Sequence, residues 1–139
     1  MDTTCHHQPL SNEVLSGAAE LTLGRLGEHL AARHLRSDGL ELLARNWRIA
    51  DGEVRGELDL VAVEIATDTL VVCEVKTRRD AARFGGAGAA LPPGKHRRLR
   101  LLTAAFLREQ PERYAHVRLD LVAIDLGRQA GLTHLVGLA

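Results

Sequence analysis

The sequence predicts a single α/β domain in which a mixed central sheet is flanked by helices. Three observations lead there. At 139 residues the chain can bury one self-sufficient core, and two domains would each be uncomfortably small. The spacing of apolar residues switches between helical and strand periods in the order helix, three strands, helix, strand. The stretch around Val72 is apolar on both faces, as an interior strand covered on either side must be.

Residues 1–19 show no strong periodicity and are expected to be a loosely ordered leader, with the domain over residues 20–139. Leu23, Leu26, Gly27, Leu30, His34 and Leu35 then recur at helical spacing, and Gly39 after Ser37-Asp38 stops the helix. A strand is expected over residues 40–49, with a turn at Asp51-Gly52. Two further strand patterns cover residues 57–64 and 69–76, joined by a polar turn near Thr67-Asp68, and the three strands form an antiparallel meander. A glycine-rich loop over residues 85–94 leads into a helix opened by Pro92-Pro93, with Leu99, Leu102, Ala105 and Phe106 on one face and Pro111 at its end. Residues 117–126 read as a strand, 127–131 as a turn and 132–139 as an edge strand. Aromatics are scarce at 3%, so Leu, Val and Ala must build the core, with Trp47 as an anchor in its first strand.

Formal charge is zero, 18 basic against 18 acidic residues, which argues against a polyanion binder by composition alone. The distribution is uneven. Between Lys76 and Arg100 stand eight basic residues and a single acid, Asp80. Only Lys76 and Lys95 are lysines; every other basic residue is arginine, so an ammonium at these two places asks for a reason. Cys5 and Cys73 fit neither a disulfide framework nor a zinc knuckle, and Cys5-His6-His7 lacks a fourth ligand and a scaffold. With no signal-like start and no apolar stretch of membrane-spanning length, the expected location is the cytoplasm, with no membrane partner.

Strand alternation places Leu70, Val72, Glu74 and Lys76 on one face and Val71, Cys73 and Val75 on the other. Across the antiparallel turn, Asp59 falls opposite the end that carries Glu74, on a neighbouring strand about 4.8 Å away. Two carboxylates that close repel one another in apolar surroundings unless a cation intervenes. Mg²⁺ (or Mn²⁺) suits the pair, because it takes carboxylate oxygens together with water and phosphate. Lys76 beside it can orient an attacking water or offset charge developing on phosphorus. The alternative is an exposed Glu–Lys pair at a strand edge with Asp59 solvated nearby. Arg78, Lys95 and Arg98 are candidates for phosphate contacts, against the alternative of a solvated helix face and loop. Glu57 is read as pointing away from Asp59, toward Arg48 or Arg55.

Asp59 followed by Glu74-Val75-Lys76 resembles the PD-(D/E)xK nuclease signature, with Leu58 standing where the motif has proline. The wider pattern "GRLGEHLAARHL", "ARNWR", "GELDLVAV", "VVCEVKTR", "RFGGAGAAL" and "GKHRRLRLLTAAFL" is similar to the bacterial YraN family of endonuclease-like proteins, over roughly residues 24–126. The resemblance implies a restriction-endonuclease-like α-β-β-β-α-β core related to Holliday-junction resolvases. It makes Asp59 and Glu74 metal ligands, the main-chain carbonyl of Val75 a third, Lys76 the catalytic lysine and Glu28 the acid of the first helix. The implied activity is Mg²⁺-dependent endonucleolytic cleavage of DNA, branched forms included. Nucleic acid, DNA foremost, is the implied partner, and a homodimer is left open. The alternative function is a catalytically silent nucleic-acid-binding module of the same fold, acting in recombination or repair.

Overall fold

The computed structural model describes residues 4–11, 22–79 and 91–138. Among them are two α-helices, α1 (Leu23–Ser37) and α2 (Pro93–Glu109), and a six-stranded sheet. The strands are β1 (Thr4–Pro9), β2 (Glu41–Asp51), β3 (Val54–Glu64), β4 (Thr69–Arg78), β5 (His116–Asp125) and β6 (Gly131–Val136), in the spatial order β1-β6-β5-β4-β3-β2. All neighbouring pairs are antiparallel except β4 with β5, so the sheet is mixed as expected. A parallel pair needs a crossover, and α2 supplies its helix.

Local chemistry sets the helix ends. Thr22 Oγ1 accepts the N–H of Arg25 at 3.3 Å, capping one of the donors left over at the start of α1. At the other end Gly39 takes φ +89°, where a side chain would be strained, and the N–H groups of Gly39 and Leu40 return to the carbonyls of Arg36 and Leu35. Pro92 and Pro93 open α2, where a missing N–H costs nothing.

The two helices cover opposite faces of the sheet. Leu30, Ala31, Ala32 and Leu35 of α1 pack with Leu60, Ala62, Val71 and Cys73. Leu99, Leu102 and Phe106 of α2 pack with Leu58, Val61, Leu70 and Val72. Successive residues of β4 thus feed different cores, which is why that strand is apolar on both sides. Trp47 meets Phe106 edge-on with ring centres 5.3 Å apart, the anchoring role expected of it.

α1 lies close against β4 at Gly27. A Cβ there would lie 1.7 Å from Thr77 Oγ1 and 2.8 Å from Thr77 Cβ, so rotating the threonine does not clear the clash. Gly27→Ala is therefore expected to push α1 off the sheet, costing about 1–3 kcal/mol as overpacking. Thermal melts check this, and an undiminished Tm would mean that α1 does not rest on β4 as closely as described.

Two expectations are corrected. Within the expected leader, Thr4–Pro9 is a strand paired with β6, from Thr4 opposite Val136 to Pro9 opposite Gly131. Its six residues are all exposed, so no alternation of apolar residues marks it in the sequence. Consequently β6 is not the sheet's edge, the place expected for residues 132–139; β1 is. Residues 12–19 of the leader and 85–90 of the glycine-rich loop lie outside the described residues. No helix is long and apolar enough to cross a membrane among the described residues.

Candidate active site

The regular alternation of β3 breaks at Asp59. Leu58 packs on the α2 side and Leu60, two residues on, packs on the α1 side, whereas residues two apart normally share a face. Pairing with β2 steps from Arg45 opposite Leu60 to Trp47 opposite Leu58, past Asn46 at φ +50°. Pairing with β4 runs from Glu64 opposite Thr69 only as far as Leu60 opposite Cys73. Beyond that point Asp59 Oδ2 accepts the N–H of Val75 at 2.9 Å, so a carboxylate takes over where the backbone ladder stops. The strands open there, and the opening is the site.

Acids from three elements meet around it. Carboxylate oxygens of Glu28 on α1 and of Glu57 and Asp59 on β3 lie within 4.8 Å of one another. Glu74 on β4, only 6% exposed, holds Lys95 from the first turn of α2, Oε1 to Nζ 2.7 Å. Glu57, Asp59, Glu74, Lys95, Arg98, Leu99 and Leu102 line a pocket of about 220 Å³. A larger groove of about 780 Å³, lined by Glu64, Arg100, Thr103 and Leu119 among others, shares no residue with it, so size alone does not locate the acids.

Crowding shows in the electrostatics. Burial, then the charge of Glu74, pushes the Asp59 carboxyl up to about 7; Glu28 and Glu57 add to the rise, and the Val75 N–H opposes it. Burial also lowers the pKa of Lys76, helped by Lys95 and Arg78 and opposed by Glu74. Lys95 pairs with Glu74 and Arg48 with Glu57, fewer ion pairs than the four carboxylates gathered here, and the donor set is all oxygen. Both properties fit a divalent cation of the Mg²⁺ type.

The expected residues are distributed as follows in space. Glu28 and Asp59 come together directly, Glu74 is the strongest charged neighbour of Asp59, and Val75 reaches Asp59 through its N–H. Lys76 lies within the field of Glu74, Lys95 and Arg78. Lys95, a candidate for a phosphate contact, pairs with Glu74 in the structure. Arg98 lines the pocket and donates to the carbonyl of Arg55, while Arg78 is exposed. Glu57 is the residue the sequence reading misplaced. It does pair with Arg48, Nε to Oε2 3.0 Å, but it belongs to the same acid group as Asp59. The signal was its spacing: Glu57 and Asp59 are two apart on the near side of the strand's break, so they share a face.

A mixed sheet covered by one helix on each face, with acids gathered where two central strands diverge, defines a restriction-endonuclease-like α/β domain. The chain belongs to the family described as "Uncharacterised protein family UPF0102", whose model matches residues 27–124. UPF0102 is the YraN family, the one the sequence resembles. A UPF0102 protein of Mycobacterium ulcerans is 46% identical over 119 residues, covering 84% of this chain and 93% of the relative. Another from Mycolicibacterium smegmatis is 42% identical over 125 residues, 88% of this chain and 97% of the relative. The matched span includes every acid of the site, Lys76 and Lys95.

Proposed function

We propose that this protein is a metal-dependent nuclease acting on DNA phosphodiester bonds. The observation that carries the reading is the gathering of Glu28, Glu57 and Glu74 around Asp59, with Lys76 in the same field. Asp59 together with these acids, and the main-chain carbonyl of Val75, would hold Mg²⁺ or Mn²⁺. When bound, such an ion supplies Lewis acidity to activate a water and to take up charge on the phosphate. The chain's own groups do the rest. Lys76, with its pKa lowered by burial and by its cationic neighbours, exchanges a proton nearer to neutral pH than an ordinary lysine, and its ammonium form offsets charge developing on phosphate oxygens. Arg78, Lys95 and Arg98 supply a basic rim that positions the backbone of the nucleic acid.

A second reading, a groove that binds nucleic acid without cutting it, is favoured by one contact. The 2.7 Å bond from Lys95 to Glu74 sets an ammonium against a carboxylate that a metal would need. Incubation of branched and linear DNA, with RNA alongside, in Mg²⁺ or Mn²⁺ separates the two. Metal-dependent internal cuts in DNA support the nuclease; binding with no product supports the module; neither outcome removes both readings.

The rim has its own test. Arg78→Ala should weaken binding to any nucleic acid and flatten the dependence of log affinity on log salt by about one unit, as loss of a single phosphate contact does. An unchanged salt slope would place Arg78 outside the interface.

A further inference from the structure

Away from the acids, a chain of imidazoles ends in a buried carboxylate. Asp120 of β5 is fully buried and takes a two-point hold from Arg118, Nε to Oδ1 2.9 Å and Nη2 to Oδ2 3.1 Å, together with the N–H of Gly137 at 3.0 Å. His134 of β6, also fully buried, bonds Asp120 Oδ2 through Nε2 at 2.7 Å. Its other ring nitrogen, Nδ1, faces Nε2 of His34 on α1 at 2.9 Å. Asp38, just past the end of α1, brings a carboxylate oxygen within 4.8 Å of a ring nitrogen of each histidine. None of these residues belongs to the acid site.

We propose that His34 Nε2, His134 Nδ1 and an oxygen of Asp38 form a second metal site, for a Zn²⁺-class transition ion, which clips the end of α1 to β6. Donor chemistry separates it from the acid site. Two imidazole nitrogens and one carboxylate suit Zn²⁺, whereas Mg²⁺ prefers oxygen alone. The supporting shell is already built. With Nε2–H committed to Asp120, His134 presents Nδ1 as a lone pair, and a carboxylate behind a histidine is the usual way a ligating ring is fixed and made more basic. Nitrogens on a tetrahedral zinc stand about 3.3 Å apart at ordinary bond lengths, so the two rings, now 2.9 Å apart at these atoms, would part by a few tenths of an ångström and turn toward the ion as Asp38 closes in from within 4.8 Å. The ion would take the place of the proton that His34 Nε2 shares with His134 Nδ1, the neutral His34 ring then carrying its one proton on Nδ1. Water completes the coordination. The ion would tether the far end of the helix that carries Glu28.

The test titrates metal-stripped full chain with Zn²⁺ by calorimetry in excess Mg²⁺, and with Co²⁺ as an optical probe of nitrogen ligation. Expected are one Zn²⁺ per chain, a Tm that rises with Zn²⁺, and affinity lowered at least about tenfold by His34→Ala and by Asp38→Asn. Asp59→Asn and Cys5→Ser should leave zinc affinity as it is. Because Asp38 is exposed, Asp38→Asn should keep the fold and decides the matter even where His34→Ala is unstable. Absence of zinc binding overturns the proposal. So does binding that survives Asp38→Asn but is lost in Asp59→Asn or Cys5→Ser, since the ion would then sit among the acids or on the Cys5-His6-His7 stretch.

Discussion

Lys76→Ala should lower the rate of metal-dependent DNA cleavage by about 100-fold or more while changing DNA affinity by less than about threefold. The asymmetry follows from where each property resides. Affinity is spread over many cations, and Lys76 is one of eight between positions 76 and 100. Its contribution to rate is local: a proton-transferring or charge-offsetting group at the reacting phosphate acts more strongly on the transition state than on the bound ground state, typically by a factor of about 10²–10⁴. Single-turnover cleavage measures the first quantity and equilibrium binding in a chelator measures the second. Equal cleavage rates for wild type and Lys76→Ala would remove the lysine from the chemistry. A parallel fall in rate and affinity would make it a phosphate contact instead.

Asp59→Asn should be more stable than wild type in a chelator at pH 8, by on the order of 2 kcal/mol, and should lose that advantage as Mg²⁺ is added. The sign follows from the protons. Asp59 has an ordinary value of 3.8 and a folded value of about 7, so between those limits the folded chain holds a proton that the unfolded chain has released. Its destabilising effect is absent below about pH 4, grows as pH rises, and is complete above about pH 7. The amide keeps the acceptor for the Val75 N–H and removes the charge that Glu74, Glu28 and Glu57 oppose. Mg²⁺ binds only the folded site and should raise the Tm of wild type by mass action, with little effect on Asp59→Asn. Mg²⁺ is the better probe here because it avoids imidazole ligands. At pH 4 in chelator the two proteins should melt within a degree or two of each other. Should Asp59→Asn prove the less stable protein at pH 8 and both respond alike to Mg²⁺, the acids do not share an ion.

Much of this could be read from periodicity, because helices with one apolar face and strands with two leave a pattern that packing then preserves. The stop at Gly39, the opening at Pro92-Pro93 and the split of β4 between two cores were all legible for that reason. The meeting of Asp59 with the Glu74 end was legible too, since a short antiparallel connection fixes which ends of its strands adjoin. Three things were not. β1 is an exposed edge strand, held by backbone bonds that any sequence can make. Lys95 reaches Glu74 from α2 after a long connection, and no local pattern foretells where such a crossover returns. The break in β3, opposite Asn46 with its positive φ on the neighbouring strand, shifts the face of every later residue in β3.

The pairing of β1 with β6 also constrains the order of events during synthesis. β1 is made before the other described strands, yet its partner, Gly131–Val136, is made after them. Throughout translation the six residues Thr4–Pro9 have no strand to lie against, while β2, β3 and β4 can zip together as soon as each emerges. The nascent chain therefore carries β1 as a polar β segment without its sheet partner until β6 emerges. A segment rich in histidine and free of consecutive bulky apolar residues is well suited to waiting, because it offers a poor template for association with other nascent chains.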